Sequence, residues 1–242
     1  MLFRSDPELT ATVEGVAKGD ALSYALQREE GNTPGTYEIK VIPGVNRNYD
    51  VTAVNGTFTI LDKIPFVDVP RDSYYYESVY WAVEQDPQIT SGVDETHFNP
   101  MGICTRAQAV TFMWRANGCP VPNTANNPFT DVSEEDFYYQ AVLWAVEKGI
   151  TAGKTATTFA PNDPCTRAQV VSFLWRDAGS PEPTLSESPF TDVTEADGYC
   201  DAVLWAVENG ITNGINANEF GVKKTCIRAQ IVTFIMRAYG AK

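Results

Sequence analysis

The chain has 242 residues, enough to bury a core as one large domain or as two ordinary ones. Its 18 Lys+Arg against 31 Asp+Glu give a net charge of −13, which excludes nucleic acid or an anionic membrane as a partner held by long-range attraction. Five cysteines without a C-x-x-C pair and a single histidine offer no zinc site of ordinary spacing. We therefore expect no metal and no cofactor, and any bound anion must be captured locally.

The opening segment, Met1–Ser5, reads as a cut start. The chain shows neither the charged n-region followed by an apolar h-region of a signal peptide nor an apolar stretch near the roughly eighteen residues of a spanning helix. We accordingly expect no membrane insertion.

The sequence pattern of residues 1–62 predicts a small β unit. Apolar and polar residues alternate in Leu9–Val13, Thr36–Val41 and Gly56–Ile60, between Gly, Pro and Asn, which predicts three short strands. The block from Gly35 to Ile60 resembles the MBG type of mostly-β repeat in bacterial surface proteins. That resemblance implies a spacer module that is truncated at its N-terminus, with an edge left marginal or exposed.

Three copies of one helical unit follow, from about Phe66 to Gly240. The recurring segments are Phe66–Val69, Phe129–Val132 and Phe190–Val193, then Trp81–Glu84, Trp144–Glu147 and Trp205–Glu208, then Cys104–Gln108, Cys165–Gln169 and Cys226–Gln230. Successive cysteines of this set lie 61 residues apart. Copy 1 carries a two-residue insertion at Gln85–Gln88, which predicts a loop there. We place the copies at 63–122, 123–183 and 184–242.

Each copy is predicted to contain two helices. In copy 2 the first runs from about Tyr138 to Lys148 and ends at Gly149, which suits a left-handed helix cap. The second runs from Thr166 to about Asp177 and opens with a Thr-x-x-Gln capping box. In copy 1 Asp86-Pro87 replaces the capping glycine, so the first helix should end differently there.

In copy 3 Ile227 stands where copies 1 and 2 have the capping threonine. The second helix of copy 3 should therefore fray or borrow another acceptor, at a cost of about 1 kcal/mol. The cysteines that precede the caps are expected to be buried thiols.

Together the three copies resemble S-layer homology (SLH) repeats over about three quarters of the chain. The motifs that carry this resemblance are Phe-x-Asp-Val, Trp-Ala-Val-Glu, Gly-Ile-Thr-x-Gly and Thr-Arg-Ala-Gln. It implies a mainly α, pseudo-trimeric domain of three helix-loop-helix repeats around a shared helical bundle, following the small all-β unit. It also implies that the grooves between repeats bind secondary cell-wall polysaccharide, often modified with pyruvate ketals.

The leading candidates for glycan contact are Arg106, Arg167 and Arg228. Each follows a predicted cap, where free backbone N–H groups and the helix dipole favour an anion and a guanidinium can hold a carboxylate bidentately. The structural alternative is an ion pair with the repeat aspartates Asp68, Asp131 and Asp192, which are also candidate site residues. Nine residues later, about 180° round the helix, come the arginines that we expect to face solvent or an interface, outside the groove of the first set. They are Arg115, Arg176 and Arg237.

Further candidates are aromatic, glycine and lysine positions. The indoles could stack on sugar rings or belong to the core. They are Trp81, Trp144 and Trp205. The glycines should form turns with positive φ that let a glycan approach. They are Gly92, Gly153 and Gly214. Lys154 adds a cation to the loop of copy 2, so we expect Arg167 to matter most and Arg228, behind Ile227, least.

These features favour a non-catalytic anchor on the bacterial cell surface, with wall polysaccharide as its partner. The alternatives are a self-associating surface-layer protein and the C-terminal anchor fragment of a larger surface enzyme or adhesin. The acidic residues that recur threefold argue against a glycoside hydrolase, because catalysis rarely needs three copies of one site.

Overall fold

A computed structural model describes residues 7–31, 34–60, 64–124 and 126–240. The chain divides into two compact units, the first ending at residue 63 and the second beginning at residue 64. The segment read as a cut start, Met1–Ser5, lies outside the described residues. Among the residues described, no helix is both long and apolar enough to cross a membrane.

In the described part of the first unit, three strands form an antiparallel sheet in the order β1-β2-β3. They are β1 (Tyr24–Arg28), β2 (Gly35–Pro43) and β3 (Gly56–Ile60). The two later strands confirm the prediction, but the strand predicted at Leu9–Val13 is wrong, since these residues have no strand structure. Alternation does not supply a partner, and both edges of β2 are already taken by β1 and β3.

One face of this sheet carries the larger apolar side chains. Leu26 lies opposite Val41 and Tyr37 lies opposite Phe58. All four are half-buried, and none of the described residues in 7–60 is fully buried. The unit therefore depends on a thin, partly covered layer rather than on a closed core.

Among its described residues the second unit contains six helices, two in each copy, in line with the predicted helix-loop-helix pattern. They are α1 (Tyr76–Glu84), α2 (Arg106–Ala116), α3 (Tyr139–Glu147), α4 (Arg167–Asp177), α5 (Cys200–Glu208) and α6 (Arg228–Tyr239). The two helices predicted for copy 2 are confirmed to within one residue at each end.

The helix ends follow the predicted chemistry. Thr166 and its counterpart in copy 1 form complete capping boxes. Gly149 has φ 69°, while Gln85 ends α1 in an extended conformation because copy 1 lacks that glycine. Of the two outcomes expected for α6, fraying or a borrowed acceptor, the structure shows the second. Ile227 gives no side-chain cap, and the first N–H groups of α6, from Arg228 and Ala229, donate to the carbonyls of Gly102 and Pro100 in the copy 1 loop.

Neighbouring copies interlock through both helices and backbone. α3 packs on α2, α5 on α4, and α1 on α6, while α2, α4 and α6 also contact one another. The N–H of Cys165 donates to the carbonyl of Cys104, that of Cys226 to Cys165, and that of Cys104 to Cys226, each at 2.9 Å. This closed ring joins the last copy back to the first, and its three thiols are fully buried, as predicted.

Candidate functional site

The three candidate arginines are buried at the junctions between copies. Arg106, Arg167 and Arg228 are only 4%, 3% and 4% exposed. Each Nε donates to a loop carbonyl of another copy: Arg106 to Phe159 at 3.0 Å, Arg167 to Phe220 at 2.9 Å and Arg228 to Phe98 at 2.8 Å. The arginine of each copy is therefore hydrogen-bonded to the loop of the following copy, and the arginine of copy 3 to the loop of copy 1.

Two phenylalanine rings flank each guanidinium. The Cζ atom of Arg106 lies 4.9 Å from the ring centroid of Phe159 and 5.6 Å from that of Phe173. Arg167 and Arg228 have the same arrangement, at 4.8–5.3 Å from their rings. The rings attract the cation and fix the plane of the guanidinium, but they supply no negative charge to balance it.

These buried cations have no counter-anion of their own. Within the described residues, no carboxylate oxygen lies within 4.0 Å of the three guanidinium groups. Burial lowers the pKa of each guanidinium from its ordinary value. Because a buried charge without an ionic partner is costly, an incoming anion would be favoured at all three positions.

The repeat aspartates hold the loops instead of the arginines. The carboxylate of Asp131 accepts from the backbone N–H groups of Phe159 and Ala160, both at 2.8 Å. Asp68 and Asp192 hold the corresponding loops in the same way. The alternative of a direct arginine–aspartate ion pair is therefore wrong. The carboxylate of Asp131 accepts from the N–H of Phe159, while the guanidinium of Arg106 donates to the carbonyl of the same residue.

Two of the junctions open into grooves. The first, called the Arg106 groove, has a volume of about 480 Å³. It combines Arg106 of copy 1 with the loop and second helix of copy 2 and with side chains of copy 3. Its polar and charged wall includes Arg106, Thr151, Gln169, Arg176, Tyr199 and Lys223.

The second, called the Arg228 groove, has a volume of about 370 Å³. It combines Arg228 of copy 3 with the loop and second helix of copy 1. Its wall includes Thr90, Gln108, Arg115, Phe137 and Arg228. Phe137 comes from copy 2 and is 65% exposed, so it gives this groove an aromatic side that a sugar ring could cover.

The third junction, called the Arg167 junction, is centred on Arg167 of copy 2 and on the loop of copy 3. Its guanidinium Nη2 donates to Thr212 Oγ1 at 2.9 Å. Arg237 reaches the same loop through the carbonyl of Ile211 at 3.0 Å. Burial raises the pKa of the Tyr74 phenol, and the positive charges of Arg237 and Arg167 oppose this rise.

The expected separation of the two arginine sets is wrong. Within one helix Arg106 and Arg115 do point apart, but a groove is assembled from two helices of different copies. Arg176 thus joins Arg106, and Arg115 joins Arg228, in one wall. Each of these outer arginines also donates to a loop carbonyl, Arg176 to Ile150 at 3.0 Å.

The helix N-termini are not free anion sites, contrary to expectation. The first N–H of α2, from Arg106, donates to the carbonyl of Asp163 at 2.9 Å, and the next, from Ala107, to Pro161 at 3.0 Å. The following helix starts, α4 and α6, are satisfied by their neighbouring loops in the same way. An anion in these grooves would therefore be held by side chains.

The turn glycines confirm the predicted positive φ. Gly92, Gly153 and Gly214 have φ of 86°, 84° and 81°. A Cβ on Gly153 would come within 2.4 Å of the Phe129 ring. Gly92 and Gly153 line the two grooves, so this packed turn forms part of each wall.

The candidate tryptophans and Lys154 do not line the Arg106 groove or the Arg228 groove. Trp144 is 3% exposed within the core, while Trp81 and Trp205 are half-buried against it. Lys154 pairs with Asp163, and the lysine that lines the Arg106 groove is Lys223 of copy 3. Sequence reasoning missed Lys223, because nothing in the repeat pattern says which copies share a groove.

Comparison with known proteins agrees with this architecture. The S-layer homology domain matches residues 65–110, 128–171 and 189–232, which together make up more than half of the chain. The MBG domain of YGX type matches residues 2–59.

Similar proteins include two S-layer proteins and an enzyme. The chain is 34% identical over 134 residues to the surface-layer 125 kDa protein of Lysinibacillus sphaericus, covering 55% of this chain and 11% of that protein. It is 29% identical over 175 residues to an S-layer protein of Bacillus thuringiensis subsp. finitimus, covering 71% and 21%. It is 29% identical over 171 residues to an endoglucanase of Bacillus sp. (strain KSM-635), covering 69% and 18%. The chain thus spans about a fifth or less of each of these relatives.

Proposed function

Because the chain belongs to the S-layer homology domain family, we propose that its three repeats bind an anionic cell-wall polysaccharide in the grooves between them. Membership of this family and likeness to surface proteins make it a cell-surface protein attached to the cell wall, with an anchoring role. The chain is a non-enzymatic anchor module of that family, and the proposal concerns which ligand it takes and where.

The observation that carries the proposal is the buried, uncompensated guanidinium at each junction. Arg106 is held rigidly by the Phe159 carbonyl and by two rings, and Arg176 stands in the same groove wall. A ligand carboxylate between two such guanidiniums would form charge-assisted hydrogen bonds without paying to order flexible side chains. Pyruvate ketals are a suitable source of this carboxylate, because they fix it rigidly to a sugar ring.

We also propose that the three copies are arranged about a pseudo-threefold axis. The closed ring of cysteine backbone hydrogen bonds supports this arrangement, as does the cyclic order of the arginine contacts. Asp68, Asp131 and Asp192 would then act as positioning residues that hold each loop toward its arginine. Gly92, Gly153 and Gly214 would keep the backbone of each groove open to the glycan.

The test is binding to wall polysaccharide purified from the source bacterium, before and after chemical removal of its acidic substituents. We expect retention on the untreated glycan and at least a tenfold weaker affinity after removal. The double substitution Arg115→Gln with Arg176→Gln should weaken binding similarly. Arg47→Gln, on the exposed surface of the β unit, is the matched control and should have no effect. Equal binding to charged and neutral glycan would refute the proposal.

A second candidate is self-association, which the S-layer relatives favour. Sedimentation at high protein concentration separates the two candidates, because an anchor stays monomeric and still binds the glycan. The endoglucanase relative is compatible with a third role, in which the same anchor carries a larger enzyme.

A further inference from the structure

The three junctions differ in how their buried guanidinium groups are satisfied. The Nη2 atoms of Arg106 and Arg228 are buried and have no hydrogen-bond partner. The Nη2 of Arg167 donates to the hydroxyl of Thr212 at 2.9 Å. Two junctions therefore carry an unsatisfied cationic donor, and the third has satisfied its own.

The difference lies in the hydroxyl of one threonine in each loop. In copies 1 and 2, the hydroxyls of Thr90 and Thr151 accept from the N–H groups of Gly92 and Gly153, each at 3.2 Å. In copy 3 the equivalent hydroxyl, on Thr212, instead accepts from the arginine. All three threonines are buried, at 1% to 4% exposure, so water does not readily replace either partner.

From this difference we infer that the chain binds anionic glycan in two grooves, the Arg106 groove and the Arg228 groove, while Thr212 blocks binding at the Arg167 junction by occupying its guanidinium. The inference rests on the proposed function. In the two open grooves a carboxylate completes the hydrogen bonds of a donor that has none. At the third junction it must displace a hydrogen bond that the protein already makes to a charged group, and we expect about tenfold or more weaker binding there.

This inference reverses the order expected from capping, in which Arg167 mattered most. That order assumed that Arg167 and Lys154 of copy 2 act together, whereas the loop of copy 2 belongs to Arg106. It also assumed a loose Arg228, which is as deeply buried as the other two arginines.

The experiment is calorimetric titration of the whole chain with a 4,6-pyruvylated hexoside, using its neutral methyl ester as the control ligand. We expect two sites in the natural protein and none for the ester. Thr212→Val keeps the shape of the buried side chain but removes the acceptor, so it should add a third site. Thr59→Val, at an exposed position of strand β3 outside the grooves, is the control for the substitution itself and should leave the number at two. Thermal unfolding checks that both variants fold.

A second measurement needs no variant. In the ¹⁵N-labelled protein, the side-chain Nε–H signals of Arg106 and Arg228 should shift on titration with the hexoside while that of Arg167 stays in place. Three equal sites, an Arg167 signal that shifts with the others, or a Thr212→Val protein that still has two sites would each overturn the inference. Absence of binding at every groove would instead refute the proposed function.

Discussion

Substitution of Gly153 by alanine should destabilise the repeats and damage the Arg106 groove together. Gly153 has φ 84°, a left-handed conformation that costs an L-residue about 1–2 kcal/mol. An added Cβ would also lie 2.4 Å from Phe129 Cε1 and 2.8 Å from the carbonyl oxygen of Thr158. The Thr158 oxygen belongs to the backbone and accepts from Lys154 N–H at 2.8 Å, so it cannot simply turn away.

The steric part can be separated from the conformational part with a control. Gly179 has φ 88°, and a Cβ there would meet nothing within 4 Å. Gly179→Ala should therefore cost only the conformational part, about 1–2 kcal/mol. Gly153→Ala should cost about 1–3 kcal/mol more, the range of overpacking a tight site.

Urea unfolding of both variants at constant m-value measures the two free energies. Glycan titration of Gly153→Ala should also show weaker binding, because the Phe129 ring that must move lies 5.6 Å from Phe159, whose carbonyl holds Arg106. Equal losses of stability in the two variants would show that the loop absorbs the methyl group, and the tight turn would then have no part in shaping the groove.

Three further predictions concern stability at low pH, removal of the β unit and the folding of copy 2 by itself. Hydrogen bonds from the Asn123 side chain and backbone lower the pKa of Glu147 below its ordinary 4.5. The stability that these bonds give to the folded protein is therefore present above pH 4.5 and is lost as the pH falls through the folded-state pKa. Glu147→Gln should flatten this part of the stability–pH curve, and an unchanged curve would contradict it. Removal of residues 1–63 should leave glycan affinity unchanged in titration, whereas a tenfold loss would move binding out of the repeats. A peptide of residues 123–183 should show no cooperative melting by circular dichroism, because α3 packs on α2 and Arg167 needs the loop of copy 3; melting with the stability of the whole would refute this.

The sequence predicted what recurs and what is local. Thr166 with Gln169 marked a helix start, and Gly149 marked a helix end, because capping depends on residues a few positions apart. The strand at Tyr24–Arg28 was missed because a strand is defined by its partner as much as by its own pattern.

The grooves could be predicted only in part, because residues of three copies build them. The sequence identified Arg106 as a site candidate but placed it with its own helix, when its partners are Arg176 and Lys223. A helix periodicity gives the face on which a residue lies, and it does not give the element that covers that face. The hydrogen bond from Arg167 to Thr212 could not be predicted either, since it depends on one side-chain rotamer of Thr212.

The ring of backbone hydrogen bonds has a consequence for how the anchor is made. The groove on copy 1 contains Arg228, which lies 130 residues beyond Phe98, the residue whose carbonyl accepts its hydrogen bond. During synthesis and export this groove stays incomplete until the last helix has docked, so it forms late in folding. A chain clipped before Arg228 in copy 3 would therefore lose the binding site on copy 1. On the proposed function, affinity for the wall glycan would fall in such truncated molecules, although the cut lies far along the chain from the lost site.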